Sequence, residues 1–324
     1  MGLIHRHAAT ILLAGVAATS SSPWWRRRRR VPRNVDAVAQ AVAPWAALGA
    51  LPLVLALRVR RPLAVGAVLV GATGLWQLAW INGRARTVVR PAGRATVRIA
   101  HFNLWYDNRC PASSAATIAT VDADIVTFSE FTPAHRRRLQ QARADASFPH
   151  RLERPRTGAA GAAIWSRHPL TELARRPLHH ERLAAAVTVG AATIHVDTMH
   201  TRSPMLHARD WASDLDQLAA EAPLADGPAI MIGDFNAAWT HPGFRAIVAQ
   251  GWRDAHRDRG VGRRNSWRAD RHWLPLFVRL DHALVNRHLD VANVEDVTLP
   301  GSDHRGLIVT LVAAIVAVKA TAPH

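Results

Sequence analysis

Eight residues carry side chains that could do chemistry together: Asn103, Glu130, His200, Asp234, Asn236, Asp281, Asp303 and His304. Glu130, Asp303 and the amide of Asn103 offer hard oxygens, which suit Mg2+, with Mn2+ as a substitute, better than Zn2+. An ion held there would polarise a phosphoryl oxygen and neutralise charge developing on a leaving group. His200 and His304 add groups that exchange protons near neutral pH. Asp234 and Asn236, two residues apart, share one side of an extended segment. Each residue also has an ordinary reading. Asp234 to Asn236 could be a turn, Asn103 an Asx-turn residue, His304 a strand-end cap, and Asp281 a surface partner of Arg279 or Arg305. His282 follows Asp281 and so points to the opposite face, which makes it structural. His179 and His180 lack the helical i, i+4 spacing of zinc hydrolases, leaving zinc the lesser alternative.

The elements that must position these residues follow from the apolar runs. Strands are expected at Ala95 to Leu104, Ala123 to Ser129, Gly161 to Ser166, Ala191 to His200, Pro228 to Gly233, Leu280 to Val285 and Leu307 to Val318. Helices are expected at Ala115 to Val121, Pro133 to Ala144 and Met205 to Ala220, the last with Leu206, Trp211, Leu215 and Leu218 at helical spacing. The reactive residues fall at the ends of these strands, where a rigid sheet can hold groups from distant parts of the chain in one cleft. The irregular alternation fits an α/β sandwich of two sheets flanked by helices.

In order and spacing, Asn103 in HFNLWYDN, Glu130 in ADIVTFSEF, Asp234 and Asn236 in MIGDFNAAW, Asp281 in RLDHALVN, and Asp303 with His304 in GSDHRGL resemble the motifs of the endonuclease/exonuclease/phosphatase superfamily. The resemblance covers about residues 96 to 316. It implies a four-layer α/β/β/α sandwich and metal-dependent hydrolysis of phosphoesters. It also implies roles. Glu130 is the main metal ligand, with Asn103 beside it and Asp303 available to the same or a second ion. Asp234 orients or deprotonates the attacking water, and Asn236 donates to a phosphate oxygen. His304 meets the scissile phosphate as acid or base, Asp281 fixes its tautomer, and His200 faces the phosphate from the other side. AP endonucleases usually place a tyrosine-containing segment where this chain has His200 in TMHTRSP, and Tyr106 is the only tyrosine. The histidine looks more like the deoxyribonuclease I and sphingomyelinase branches. The segment from Trp252 to Phe277, with Trp267, Trp273 and seven arginines, could grip a polyanion or a lipid phosphate, or be a basic loop packed on the sandwich.

Composition divides the chain. Of 324 residues, 41 are Lys or Arg and 24 Asp or Glu, giving a net charge of +17. Residues 1–98 hold 15 arginines against Asp36 alone, whereas residues 99–324 are near balance, with 26 basic and 23 acidic residues. The basicity belongs to the N-terminal third and surrounds apolar stretches, where arginine commonly sets membrane orientation. One cysteine, Cys110, excludes an internal disulfide and a four-cysteine zinc site. Residues 1–94 are therefore expected to form a membrane region. It has a short stretch at 8–18, signal-like, a marginal span or an over-called start, and a transmembrane helical hairpin at about 35–57 and 62–81, close to the roughly 20 residues that cross a bilayer. The alternative is a pair of Ala-rich soluble helices. Residues 95–324 are expected to form the catalytic domain. The whole is expected to be a multi-pass membrane hydrolase acting on a phosphodiester or phosphomonoester, nucleic acid or phospholipid, with the bilayer as its other contact and no protein partner. The rival from another class is a catalytically silent scaffold of the same fold.

Overall fold

The computed structural model describes residues 34–49, 61–87, 96–221, 227–270 and 278–313. Two helices come first, α1 (Asn34–Leu48) and α2 (Arg61–Asn82). The sandwich then runs β1 (Thr96–Asn103), α3 (Pro111–Ala119), β2 (Ile125–Ser129), α4 (Pro133–Gln141), β3 (His150–Arg154), β4 (Ala162–Ser166), β5 (Leu170–Leu173), β6 (Arg182–Val189) and β7 (Ala192–His200). It continues through α5 (Pro204–Ala220), β8 (Ala229–Asp234), α6 (Pro242–Val248), β9 (Arg253–Asp254), α7 (Ala255–Asp258), β10 (Asp281–Val285), β11 (Leu289–Thr298) and β12 (Arg305–Ala313). One six-stranded sheet has the order β11-β12-β1-β2-β4-β3, and the other β5-β6-β7-β8-β10-β9.

Three buried clusters account for the layers. Between the sheets, Ile99, Ile125 and Ile164 of the first pack against Ile194, Val196 and Ile232 of the second. Strands covered on both faces read as continuous apolar runs, which is why they were visible in the sequence. On the outer face of the first sheet, Phe102, Phe128 and Trp165 are covered by Ile118 of α3 and Leu139 of α4. On the outer face of the second, Met199, Met231 and Phe235 are covered by Trp211 and Leu215 of α5 and Phe244 of α6. Burying each of these large side chains stabilises the fold by about 1.5–3 kcal/mol. The α/β/β/α arrangement expected from the resemblance is thus assembled.

The N-terminal helices differ from expectation. No helix among the described residues is long and apolar enough to cross a membrane. α1 has 15 residues and spans only ~22 Å, short of the ~30 Å hydrocarbon layer. The 8–18 stretch and residues 50–57 of the first expected span lie outside the described residues. Part of the apolar character of both helices serves packing. Ala37 of α1 joins the core under α5, with Trp80 and Ile81 of α2 against the same cluster. His241 Nε2 donates to the Ala37 carbonyl at 2.9 Å while its Nδ1 accepts from Ala238 N. At the crossing of the two helices, a side chain on Gly74 would press on the Pro44 carbonyl and the Ala47 Cβ. Small residues permit this close approach.

Candidate active site

Strand register brings the reactive residues to one rim. β1 and β2 are parallel, aligning Asn103 with Ser129 and placing Glu130 one residue beyond. β7 and β8 are also parallel and align His200 with Asp234, while antiparallel β10 opens with Asp281 opposite Asp234. Asp303 and His304 immediately precede β12, the antiparallel neighbour of β1. A side chain on Gly233 would collide with the Met199 carbonyl. Glycine there lets β8 come close to β7, setting Asp234 beside His200. Glu130 and Asn236 both take left-handed backbone conformations, φ 57° and 45°. Such strain in non-glycine residues persists where the surroundings over-determine it.

Asn103 ties the carboxylates together. Its Nδ2 donates to Glu130 Oε1 at 3.1 Å and Asp234 Oδ2 at 3.0 Å, while its Oδ1 accepts from Trp105 N at 2.9 Å. The Asx turn and the place in the cluster are therefore one arrangement. Tyr106 N donates to Glu130 Oε2 at 2.8 Å. Burial pushes the Glu130 carboxyl up, against weaker lowering by His200 and the Tyr106 N–H.

Asp234 Oδ1 accepts from Asn236 N at 2.8 Å, so the tetrapeptide GDFN does make a turn, one that holds Asp234 at the rim. Asn236 Nδ2 donates to the Thr201 carbonyl at 3.0 Å and lies 3.1 Å from His200 Nε2. His200 Nε2 is in turn 3.5 Å from Asp234 Oδ2 and 3.9 Å from Glu130 Oε1.

His304 Nδ1 meets Asp281 Oδ2 at 2.8 Å, and its Nε2 faces Asp234 Oδ2 at 3.7 Å and Asp303 Oδ1 at 3.9 Å. Burial disfavours the imidazolium, but the carboxylates of Asp281, Asp234 and Asp303 outweigh it and hold the His304 pKa well above the usual value. The same pairing overrides burial at Asp281 and keeps its carboxyl low. Asp303 Oδ2 accepts from Trp267 Nε1 at 3.0 Å, which brings the tryptophan of the Arg-rich segment to the site. Trp273 and Arg271 of that segment lie outside the described residues.

All eight residues thus gather in one region, and six of them, together with Trp267, line a cavity of about 410 Å3. Asn103 and Asp281 stand behind it as hydrogen-bond partners. Arg279 is not paired with Asp281; it donates to Asp296 at 3.1 Å. His282 is buried on the other face, held by Asp254 at 2.7 Å and the Ala237 carbonyl at 2.9 Å. His179 and His180 form no metal pair. His179 Nδ1 is 2.7 Å from Asp214, whereas His180 packs on His200 with ring centroids 4.6 Å apart. Burial, with the charges of His200 and Arg202 adding to it, lowers His180 to about 3.

Three residues at the site were not assigned to it from the sequence. His101 shares a strand face with Asn103, its Nε2 3.7 Å from Asp281 Oδ1 and its Nδ1 2.9 Å from Thr127 Oγ1. Ser302 Oγ donates to the Asn103 carbonyl at 2.8 Å and accepts from His304 N at 3.1 Å, joining the two ends of the rim. His180 stands behind His200. The period-2 spacing of His101 and Asn103 was the one available clue.

Glu130 is the residue whose surroundings suit a divalent ion. Glu130 is a buried carboxylate whose two oxygens receive only neutral N–H donors, from Asn103 and Tyr106. Such a charge lacks compensation that a cation would supply. Asp234, Asp281 and His304 also bring potential ligand atoms within 4.8 Å of one another. Within this trio, His304 Nδ1 is already taken by Asp281 Oδ2 at 2.8 Å.

The fold is shared with solved proteins at low sequence identity. A humanized D. rerio TDP2 carrying 14 mutations superposes with a TM-score of 0.53 at 19% identity, covering 67% of this chain and 98% of that one. An endonuclease/exonuclease/phosphatase from Beutenbergia cavernae DSM 12333 gives 0.52 at 19% identity, over 68% of this chain and 72% of its own. A beta toxin variant from Staphylococcus aureus with bound magnesium ions gives 0.50 at 15% identity, over 68% and 100%. No curated protein matches the chain by sequence. The sequence model of the Endonuclease/Exonuclease/phosphatase family matches residues 100–304, most of the chain. With the strand-end constellation in place across that stretch, the chain belongs to the Endonuclease/Exonuclease/phosphatase family.

Proposed function

We propose that this protein hydrolyses a phosphoester, with Glu130, Asn103 and Asp303 holding Mg2+ or Mn2+. The observation that carries the reading is the convergence of Glu130, Asp234 and His304 on one cavity, with His304 Nδ1 held by Asp281 at 2.8 Å. The bound ion would polarise the phosphoryl oxygen and offset charge gathering there. Asp234, its two oxygens oriented by Asn103 and Asn236, receives the proton of the attacking water or aligns it. His304 presents Nε2–H to the phosphate or the leaving oxygen, a contribution of about 10² to 10⁴ in rate. Asp281 orients the ring by accepting Nδ1–H. Asn236 Nδ2 and His200 Nε2 face the phosphate from the opposite side.

Hydrolysis of bis(p-nitrophenyl) phosphate and p-nitrophenyl phosphate by the full chain with Mg2+ tests the reading, using Asp234→Ala as blank. Activity that EDTA removes and Mg2+ restores is expected. Equal turnover by the blank, or none by the wild type, favours the silent scaffold instead.

Attachment to a lipid bilayer through residues 1–94 is part of the proposal, in altered form. The exposed Val65, Val68, Leu69, Leu75 and Trp76 of α2 support contact along a lipid surface. Co-sedimentation of the full chain with phosphatidylcholine vesicles tests it, and protein left wholly in the supernatant counts against it.

A further inference from the structure

The catalytic cavity is not built by the family domain alone. One wall is α1, which supplies Ala37, Val38, Ala41 and Val42 and lies outside the stretch that the family model matches. Val38 and Val42, 45% and 37% exposed, follow Val35 at helical spacing, so the lining continues into an open apolar strip. Met205 and Leu206 stand on the same cavity, the latter 77% exposed. Large apolar side chains left open to water beside a phosphoester site need an occupant.

Charge speaks to which occupant. A nucleic-acid groove tracks its ligand with unpaired cations. The arginines among the described lining residues are Arg202 and Arg268; Arg268 is paired with Asp270 at 2.8 Å, and Arg202 donates to His180 Nε2 at 3.2 Å, with Asp210 3.8 Å away. We propose that α1 completes the active site as a subsite for the alkyl or acyl chain of a phospholipid, the phosphate lying at Glu130, Asp234 and His304. This rests on the hydrolase reading and names its substrate class.

The test is calorimetric binding of methyl-, butyl- and octylphosphonate to the full chain in Mg2+. These ligands cannot be hydrolysed at their P–C bond. Affinity is expected to rise tenfold or more from methyl to octyl in the wild type and in Val35→Ser, whose side chain does not line the cavity. In Val38→Ser/Val42→Ser the ratio falls below threefold. A flat series in the wild type, or the full ratio kept in the double variant, overturns the proposal. So does strong, salt-sensitive binding of a thymidine decamer with no gain from the alkyl chain. Turnover of methyl p-nitrophenyl phosphate reports on hydrolysis separately. A protein that shows the chain-length dependence but no turnover keeps the subsite and loses the hydrolase reading; turnover with a flat series does the reverse.

Discussion

One carboxylate of Asp281 sits between two imidazoles, with Oδ2 2.8 Å from His304 Nδ1 and Oδ1 3.7 Å from His101 Nε2. The two rings respond in opposite directions. Burial lowers His101 to about 4, so it is neutral at pH 7, whereas His304 is held well above its usual value by the carboxylates around it. The negative charge of Asp281 is therefore spent on His304, and His101, anchored on Thr127, packs against the carboxylate without competing for it.

Asp281→Asn should for that reason move the pH profile more than the fold. If the protonated ring is the active form, kcat/KM falls as pH rises through the His304 pKa, which lies well above 6.5. Removing the carboxylate lowers that pKa, so the alkaline limb moves toward lower pH and the rate at pH 8 drops about 10- to 10⁴-fold. Stability follows the same sign. A raised histidine pKa contributes stability that is fully present below the unfolded value and lost as pH rises through the folded one. The variant should lose that component at pH 6. An unmoved alkaline limb would detach His304 from the rate.

Glu130→Gln tests the metal assignment without any substrate. Burial raises the Glu130 carboxyl, so its charge opposes folding at pH values above its ordinary range when no cation is near. The neutral amide removes that opposing charge but can accept only one of the two N–H bonds that Glu130 receives, so the Tm of the EDTA-treated variant should stay near that of the wild type, and the rise in Tm that Mg2+ gives the wild type should be lost. Calorimetry at pH 7.5 with and without Mg2+ reads both effects. A variant whose Tm still climbs with Mg2+ would place the ion elsewhere.

Gly233→Ala should damage the site through the sheet. The added methyl meets the Met199 carbonyl, which can yield only if β7 and β8 part. Overpacking of this kind costs about 1–3 kcal/mol, and the parting separates His200 from Asp234. Denaturant unfolding should show the loss of stability, and kcat should fall with it. Full activity would mean that the register of β7 and β8 tolerates more slack than the contact allows.

What the sequence showed and hid has a common cause in burial. Polar residues such as Asn103, Asp234 and Asp281 were legible because they interrupt apolar runs at strand ends, and the runs were legible because both sheet faces are covered. β11 escaped notice as an edge strand alternating inward Val291 and Val294 with outward Asp290 and Glu295, broken by a bulge near Asn293. β6 escaped because Ala184 and Ala186 separate its inward row of Leu183, Ala185, Val187 and Val189, so no polar residue marks the alternation over its first half. The packing of the N-terminal helices was hidden for the opposite reason. Composition records that Ala37, Gly74 and Ala47 are apolar and small, but not that Ala37 packs under α5 or that Gly74 meets α1 at Pro44 and Ala47. His101 and Ser302 act through partners more than 100 positions away in sequence, Asp281 and Asn103, and no local pattern encodes such a pair.

Docking of α2 on the sandwich gives the last prediction. The Arg257 guanidinium lies 5.0 Å from the ring centre of Trp80 and 4.0 Å from that of Trp239, and the two rings meet edge to face at 5.4 Å. Around this clamp, Asn82 Nδ2 donates to the Gly260 carbonyl and Gly262 N donates to the Asn82 carbonyl. A desolvated cation–π contact is worth about 2 kcal/mol, enough to decide whether a two-helix appendage stays closed on its domain. Trp80→Ala should therefore free α2 before it unfolds the sandwich. Because α2 crosses α1 at Gly74, the wall formed by Val38 and Val42 should loosen with it. Hydrogen exchange should quicken in 61–82 and 34–48 while the protection of β1 and β8 is unchanged. Uniformly faster exchange across both sheets would show instead that the helices are part of a single cooperative unit with the catalytic domain.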